Sequence, residues 1–267
     1  MKITRLELAV ANLPSIHPFY AHQLGLPVLR ANQQSVTFRV GWTELVFRQT
    51  DKPVAPYHLA LNVPLYTLEQ YQLWFDLPYL SIDEVGGRVA HFPDWKARAV
   101  YFRDPGHNIV ELIERDDAGF AAPGNYFQGV SEVGVATASV PGTAAWLASQ
   151  YGLTPFRKQD PNPDFMAIGD DYGLFVLAKT GRPWLFTNTP AAEQDCVIHF
   201  TDWLGQQHQT TAAAIRQGSA GHQPPTARPH LCCGACAAQR LAAHHASTGK
   251  LVASPTASAG WSVSAAM

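Results

Sequence analysis

The sequence predicts an α+β fold assembled from repeated β-α-β-β-β units. Three observations carry that reading. Residues 6–28 and 133–155 align without a gap at an offset of 127. The stretch from Tyr101 to Glu114 reads as two strands round a tight turn. A glycine, Gly25 or Gly152, closes the short helix of each aligned segment, where a left-handed C-cap is expected.

The first unit spans about residues 3–50. Leu6-Glu7-Leu8-Ala9-Val10-Ala11-Asn12-Leu13-Pro14 answers Val133-Gly134-Val135-Ala136-Thr137-Ala138-Ser139-Val140-Pro141. Phe19 and Trp146 take matching helix positions, and the unit closes at Gly41 to Phe47. A fainter copy at 57–115 opens at Tyr57 to Pro64, places its helix at Leu68 to Leu77 and ends on Ala99 to Glu114. The third spans 129–180. Self-similarity of this kind marks one supersecondary unit used more than once. Pro53 to Pro56 and Ala118 to Asn125 read as linkers. Gln194 to Phe200 has the pattern of an opening strand of a fourth unit that does not continue.

Composition changes near residue 205. All 21 acidic residues lie at or before Asp202, giving 15 − 21 = −6 there against four Lys/Arg beyond it. No Phe, Tyr or Trp occurs between Gln206 and Gly260. Residues 206–267 therefore read as a low-complexity, disordered tail. A shift of reading frame in the gene would produce the same break, which codon usage beyond residue 205 tests. Cys233 and Cys236, with His244 and His245, supply zinc-ligand types. Their surroundings lack the aromatic and acidic residues of a supporting fold.

A net charge of −2 gives no argument for nucleic acid or a membrane surface. No run approaches the ~18 apolar residues of a membrane helix. The N-terminus lacks a signal-peptide pattern, and the folded part holds one cysteine, Cys196, so a cytoplasmic location is expected. No Gly-rich phosphate loop, Gly-x-Ser-x-Gly elbow or His-Glu-x-x-His occurs.

The chemistry-bearing feature is Glu111. Asp104 to Asn108 holds turn formers whose side chains bond local backbone. The following strand alternates so that Glu111 shares a face with Ile109 and Ile113, the face expected to be buried. A carboxylate buried without compensation costs several kcal/mol, so a cation or hydrogen bonds must accompany it.

Asp104-Pro105-x-x-Asn108-x-x-Glu111 after an aromatic strand resembles the last hairpin of a module in the vicinal oxygen chelate superfamily. That superfamily contains glyoxalase I, the extradiol dioxygenases and the bleomycin-resistance proteins. The resemblance covers about residues 1–190. It implies that two modules pair and their mixed sheets curl round a shared cavity. It also implies a metal bound from the opening and closing strands of each paired module. With the first two modules paired in a domain of residues 1–117, those positions are Arg5, Glu44, His58 and Glu111. After a linker at 118–128, residues 129–205 form a second, incomplete domain. Its opening position is Glu132 and its closing position Leu174, so no complete metal site is expected there.

Arg5 cannot ligate, because its guanidinium stays protonated and offers no lone pair. Glu7, on the same face, is a stand-in. Alternatively, Arg5 neutralises a buried carboxylate or clamps an anionic substrate, with Glu7 beside it. His58, Glu111 and Glu44 are the expected ligands of Fe, Ni, Zn or Mn, with Glu111 and Glu44 also catalytic. The resemblance implies a small-molecule enzyme of glyoxalase or extradiol-dioxygenase type that activates a substrate through neighbouring oxygens. The competing expectation is a metal-free binding or sequestering protein of bleomycin-resistance type. Homodimerisation is compatible with either.

Overall fold

The computed structural model describes residues 1–118, 126–158 and 162–220. The first module is β1 (Lys2–Val10), α1 (Leu13–Pro18, running into one π turn, Phe19–Gln23), β2 (Val28–Ala31), β3 (Ser35–Val40) and β4 (Thr43–Gln49). The second is β5 (His58–Asn62), α2 (Leu68–Trp74), β6 (Ala90–Phe92), β7 (Ala97–Arg103) and β8 (Ile109–Arg115). The third is β9 (Gly129–Thr137), α3 (Val140–Tyr151), β10 (Phe165–Asp170) and β11 (Gly173–Lys179). The expected fourth opening strand is β12 (Cys196–Thr201).

The 127-residue repeat is visible at atomic detail. Asn12 caps α1 by accepting from the Ser15 amide at 3.3 Å, and Ser139 caps α3 by accepting from the Gly142 amide at 3.2 Å. Gly25 and Gly152 both take positive φ, 63° and 64°, at the ends of those helical segments. Only a residue without Cβ adopts that region freely.

The modules pair differently from expectation. The opening strand of the second module, β5, lies antiparallel to that of the third, β9, with Ala60 opposite Glu132. The first module's β1 instead lies antiparallel to β12, with Arg5 opposite His199. The two assemblies meet at a single register position, Ile3 opposite Val130. The strand order β6-β7-β8-β5-β9-β11-β10 is therefore one continuous run, built from the second and third modules. The expected pairing within 1–117 is replaced because hydrogen bonding along β5 is satisfied by β8 on one side and β9 on the other. That leaves no edge of β5 for the first module.

The boundary expected at residue 205 falls inside a hairpin. β13 (Gln207–Thr211) pairs antiparallel with β12, and α4 (Ala212–Ala220) follows. Ala212 and Ile215 of α4 are buried. The Cys233/Cys236 motif and most of the 118–128 linker lie outside the described residues.

Apolar residues form two layers. One lies between the sheet and the helices and includes Leu6, Leu8, Phe47, Leu61, Leu112 and Leu147. The other lies on the opposite face and includes Tyr101, Ile109, Ile113, Phe156, Val176 and Trp184. β8 is buried along its whole length, since apolar material covers both faces. Among the described residues, no helix is long and apolar enough to cross a membrane.

The Asp104 turn ties three elements together. Asp104 Oδ1 accepts from the Gly106 and Asn108 amides, both at 2.9 Å. Its Oδ2 accepts from Asn108 Nδ2 at 2.8 Å and the Tyr20 hydroxyl at 2.9 Å. Asn108 Oδ1 in turn accepts from the Tyr57 amide at 2.9 Å, which fixes the start of β5 against the end of the hairpin. The turn thus positions His58 relative to Glu111. Asp104→Ala leaves buried donors without acceptors and is expected to lower stability by about 2–4 kcal/mol, measured by urea denaturation. A loss within error would show that the turn is not a brace.

Candidate metal centre

Three ligand-capable groups converge in the sheet formed by the second and third modules. His58 comes from β5, Glu111 from β8 and Glu132 from β9. One donor atom from each lies within 4.8 Å of the others. His58 Nε2 is 3.7 Å from Glu111 Oε2 and 3.6 Å from Glu132 Oε2. All three residues are buried, with 3–7% of their surface exposed.

The register explains the convergence. Glu111 and Glu132 both lie beside Ala60, one on each flanking strand, and His58 precedes Ala60 by one period of two. Alternation puts all of them on one face. Gly134 lies further along β9, and a Cβ there would come within 2.8 Å of Trp184 and 3.1 Å of His58. The missing side chain makes room for the Trp184 indole, on which the His58 imidazole packs at a centroid distance of 5.0 Å.

Each carboxylate has its own electrostatic environment. Glu132 Oε1 accepts from Nη2 of Arg115, a fully buried residue whose guanidinium lies over the Trp95 and Phe156 rings. Burial pushes the Glu132 carboxyl upward, but the neighbouring His58 side chain and the Arg115 charge outweigh it and hold it below its ordinary value. Glu111 lacks such a partner. Burial, and then the neighbouring Glu132 charge, raise its carboxyl well above the usual range, against smaller opposing effects of Tyr101 and Arg115. The Tyr101 phenol, opposite Glu111 on β7, is likewise pushed up by burial and by Glu111.

The group lines a cavity of about 190 Å³. Phe92, Trp95, Tyr101, Phe165, Trp184 and Leu185 form much of the wall. Every strand of the seven-strand run contributes a lining residue, so the sheet curls round this space.

The donor set fits a divalent cation. Separations of 3.6–3.7 Å are too long for direct hydrogen bonds. They suit donors sharing one ion at about 2.0–2.2 Å. A cation would also supply the charge that ionised Glu111 lacks. One departure is that His58 Nδ1 is buried with no hydrogen-bond partner among the described residues, where ligating imidazoles ordinarily have one. Ring packing on Trp184 orients this imidazole instead.

Of the residues read from the sequence, the structure brings together His58 and Glu111 but not Glu44. Glu44 lies beside Arg5 on the first module's β4, and its carboxylate is bonded by Arg5 and Arg30 at 2.5 and 2.7 Å. Arg39 approaches it at 3.6 Å. Arg5 also bonds Glu7 at 2.7 Å, and Arg48 bonds Glu7 at 2.6 Å. Glu132 completes the centre where Glu44 was expected. Leu174, opposite Glu132 in register, supplies no fourth ligand. The signal for Glu132 is its place at the third module's opening position; pairing that module with the second makes it inward-facing and adjacent to His58.

No protein-family model matches the chain. It is 29% identical over 126 residues to the uncharacterized protein YraH of Bacillus subtilis (strain 168), covering 43% of this chain and 98% of that one. Among solved structures it is similar to a candidate dioxygenase from Bacillus subtilis subsp. subtilis str. 168, at 19% identity and a TM-score of 0.49, covering 80% of this chain and 67% of that one. It is also similar to a lactoylglutathione lyase from Agrobacterium tumefaciens, at 21% identity and a TM-score of 0.37, covering 44% and 96%. A glyoxalase I variant from Zea mays gives 15% identity and a TM-score of 0.43, covering 67% and 68%.

Two outcomes test the electrostatics. Arg115→Leu strands Glu132 as a buried, unpaired charge and is expected to cost about 3–5 kcal/mol, most of it recovered in Arg115→Leu/Glu132→Gln; a double variant no more stable than the single one would contradict the pairing. Glu7 is raised by burial but held below its ordinary value of 4.5 by Arg48 and Arg5. Its stabilisation is therefore fully present above 4.5 and lost as pH falls through the lower folded value. The stability gap between the parent and Glu7→Gln should shrink on going from neutral pH to about pH 3. A gap that widens in acid would reverse the sign. From its module order, strand pairing and Asp104–Glu111 hairpin, the chain has an α+β, glyoxalase/dioxygenase-like fold.

Proposed function

We propose that the second and third modules form a metal-dependent enzyme site for a small molecule held through neighbouring oxygens. The convergence of His58, Glu111 and Glu132 carries this reading. A bound divalent ion would supply Lewis-acid activation of those oxygens. His58, Glu111 and Glu132 would hold the ion, and softness does not choose among Fe, Ni, Zn and Mn. Arg115 keeps Glu132 ionised and fixes one of its oxygens, leaving the other directed at His58. Glu111, buried beside His58 and Glu132, is the carboxylate placed to move a proton at a bound substrate. The aromatic wall excludes water and favours a compact, largely apolar substrate.

One observation favours the competing reading, a metal-free binding or sequestering protein. Arg115 already neutralises Glu132, and Glu111 can be neutral by holding a proton. Metal analysis of protein purified without a His tag separates the two. The enzyme reading expects close to one equivalent of Fe, Ni, Zn or Mn per chain, removed by His58→Ala with the fold retained by circular dichroism. All four metals below about a tenth of an equivalent, before and after incubation with each, would end it.

A further inference from the structure

The first module carries a second charged constellation that the metal centre does not use. Arg5 and Glu7 on β1, Glu44 and Arg48 on β4, Arg39 on β3 and Arg30 on β2 are in or near register on one sheet face. Their alternate neighbours Leu6, Leu8, Leu45 and Phe47 are buried with the helix-side core. None of these six charged residues lines the His58 cavity.

Four guanidiniums share two carboxylates, a local charge of +2. Arg5, Arg30 and Arg39 converge on Glu44, and Arg5 and Arg48 on Glu7. Two such cations would balance the two acids. The surplus brings like charges together, and partly exposed ion pairs add little to stability. Fold maintenance therefore does not account for the array. The carboxylates are sunk, with side-chain exposures of 13% for Glu7 and 23% for Glu44. Arg30, Arg39 and Arg48 stand at the rim with 63%, 43% and 54%. Among the described residues, the contacts use only one or two nitrogens of each guanidinium. The acids act as struts that hold a fan of donors towards solvent.

We infer that this face binds a compact oxyanion carrying at least two negative charges, such as a phosphoryl group. Planar guanidinium forks match phosphate oxygens bidentately, and a surplus of two positive charges matches a dianion. This site is independent of the metal centre and of the function proposed for it.

Isothermal titration of the full chain with inorganic pyrophosphate at low ionic strength tests the inference, with inorganic phosphate and citrate distinguishing phosphoryl from carboxylate sources. Saturable binding near one equivalent is expected, weakened about tenfold or more in Arg30→Gln/Arg39→Gln, whose altered side chains are at the exposed rim. His58→Ala should bind as the parent does, so failure of the metal reading leaves this result intact. No saturable heat at millimolar pyrophosphate, or equal affinity in the double variant, overturns it. Equal binding of acetate also overturns it, because a site built for two charges must discriminate against one.

Discussion

A carboxylate on a strand buried from both sides is the constraint around which the pocket is arranged. Glu111 lies in β8, whose every residue is buried. Isolated charge in such a place is costly enough that the group keeps its proton or recruits a cation. The neighbouring Glu132 sharpens the problem by adding a second negative charge, and Arg115 cancels only one of the two. His58, uncharged as a ligand, supplies a lone pair without adding to the imbalance. With Glu111 ionised, the resulting deficit of one positive charge, in a space walled by indole and phenyl rings, is the basis of the proposed metal site.

The two halves of the sheet show how one register can carry unlike chemistry. In each half an opening strand lies parallel to the closing strand of its own module and antiparallel to an opening strand from another. In the second and third modules the face so formed is lined by rings and aliphatic side chains and encloses a cavity. In the first module the corresponding face is studded with arginines that reach solvent. Arg5 and Glu132 are 127 residues apart and occupy equivalent positions: each lies opposite its own module's closing position, Glu44 and Leu174. Between these two pairs the carboxylate sits on the opening strand in the third module and on the closing strand in the first. The sheet geometry is conserved within the chain while the site chemistry is not.

Much was legible because it is local. The left-handed glycines at 25 and 152 and the Asp104 turn follow from backbone chemistry within a few residues, and each has the structure its residue types require. Period-two alternation put Glu111 on a buried face for the same reason. Strand β13 and the helix after it escaped notice, since their residues are small or polar. Ile215 and a few alanines give too weak a periodic pattern.

By itself, then, the sequence determined the module and its turns, because short-range sterics and hydrogen bonding set them, while two of the three grouped side chains, His58 and Glu111, were expected from the family resemblance. Which module lies against which was decided only by the tertiary structure. Strand edges are interchangeable at the level of pattern, since any β1-like edge can accept any other. The choice of β9 over β1 as the neighbour of β5 rests on packing summed over whole sheets. That choice brought Glu132 to His58 and left Glu44 among arginines.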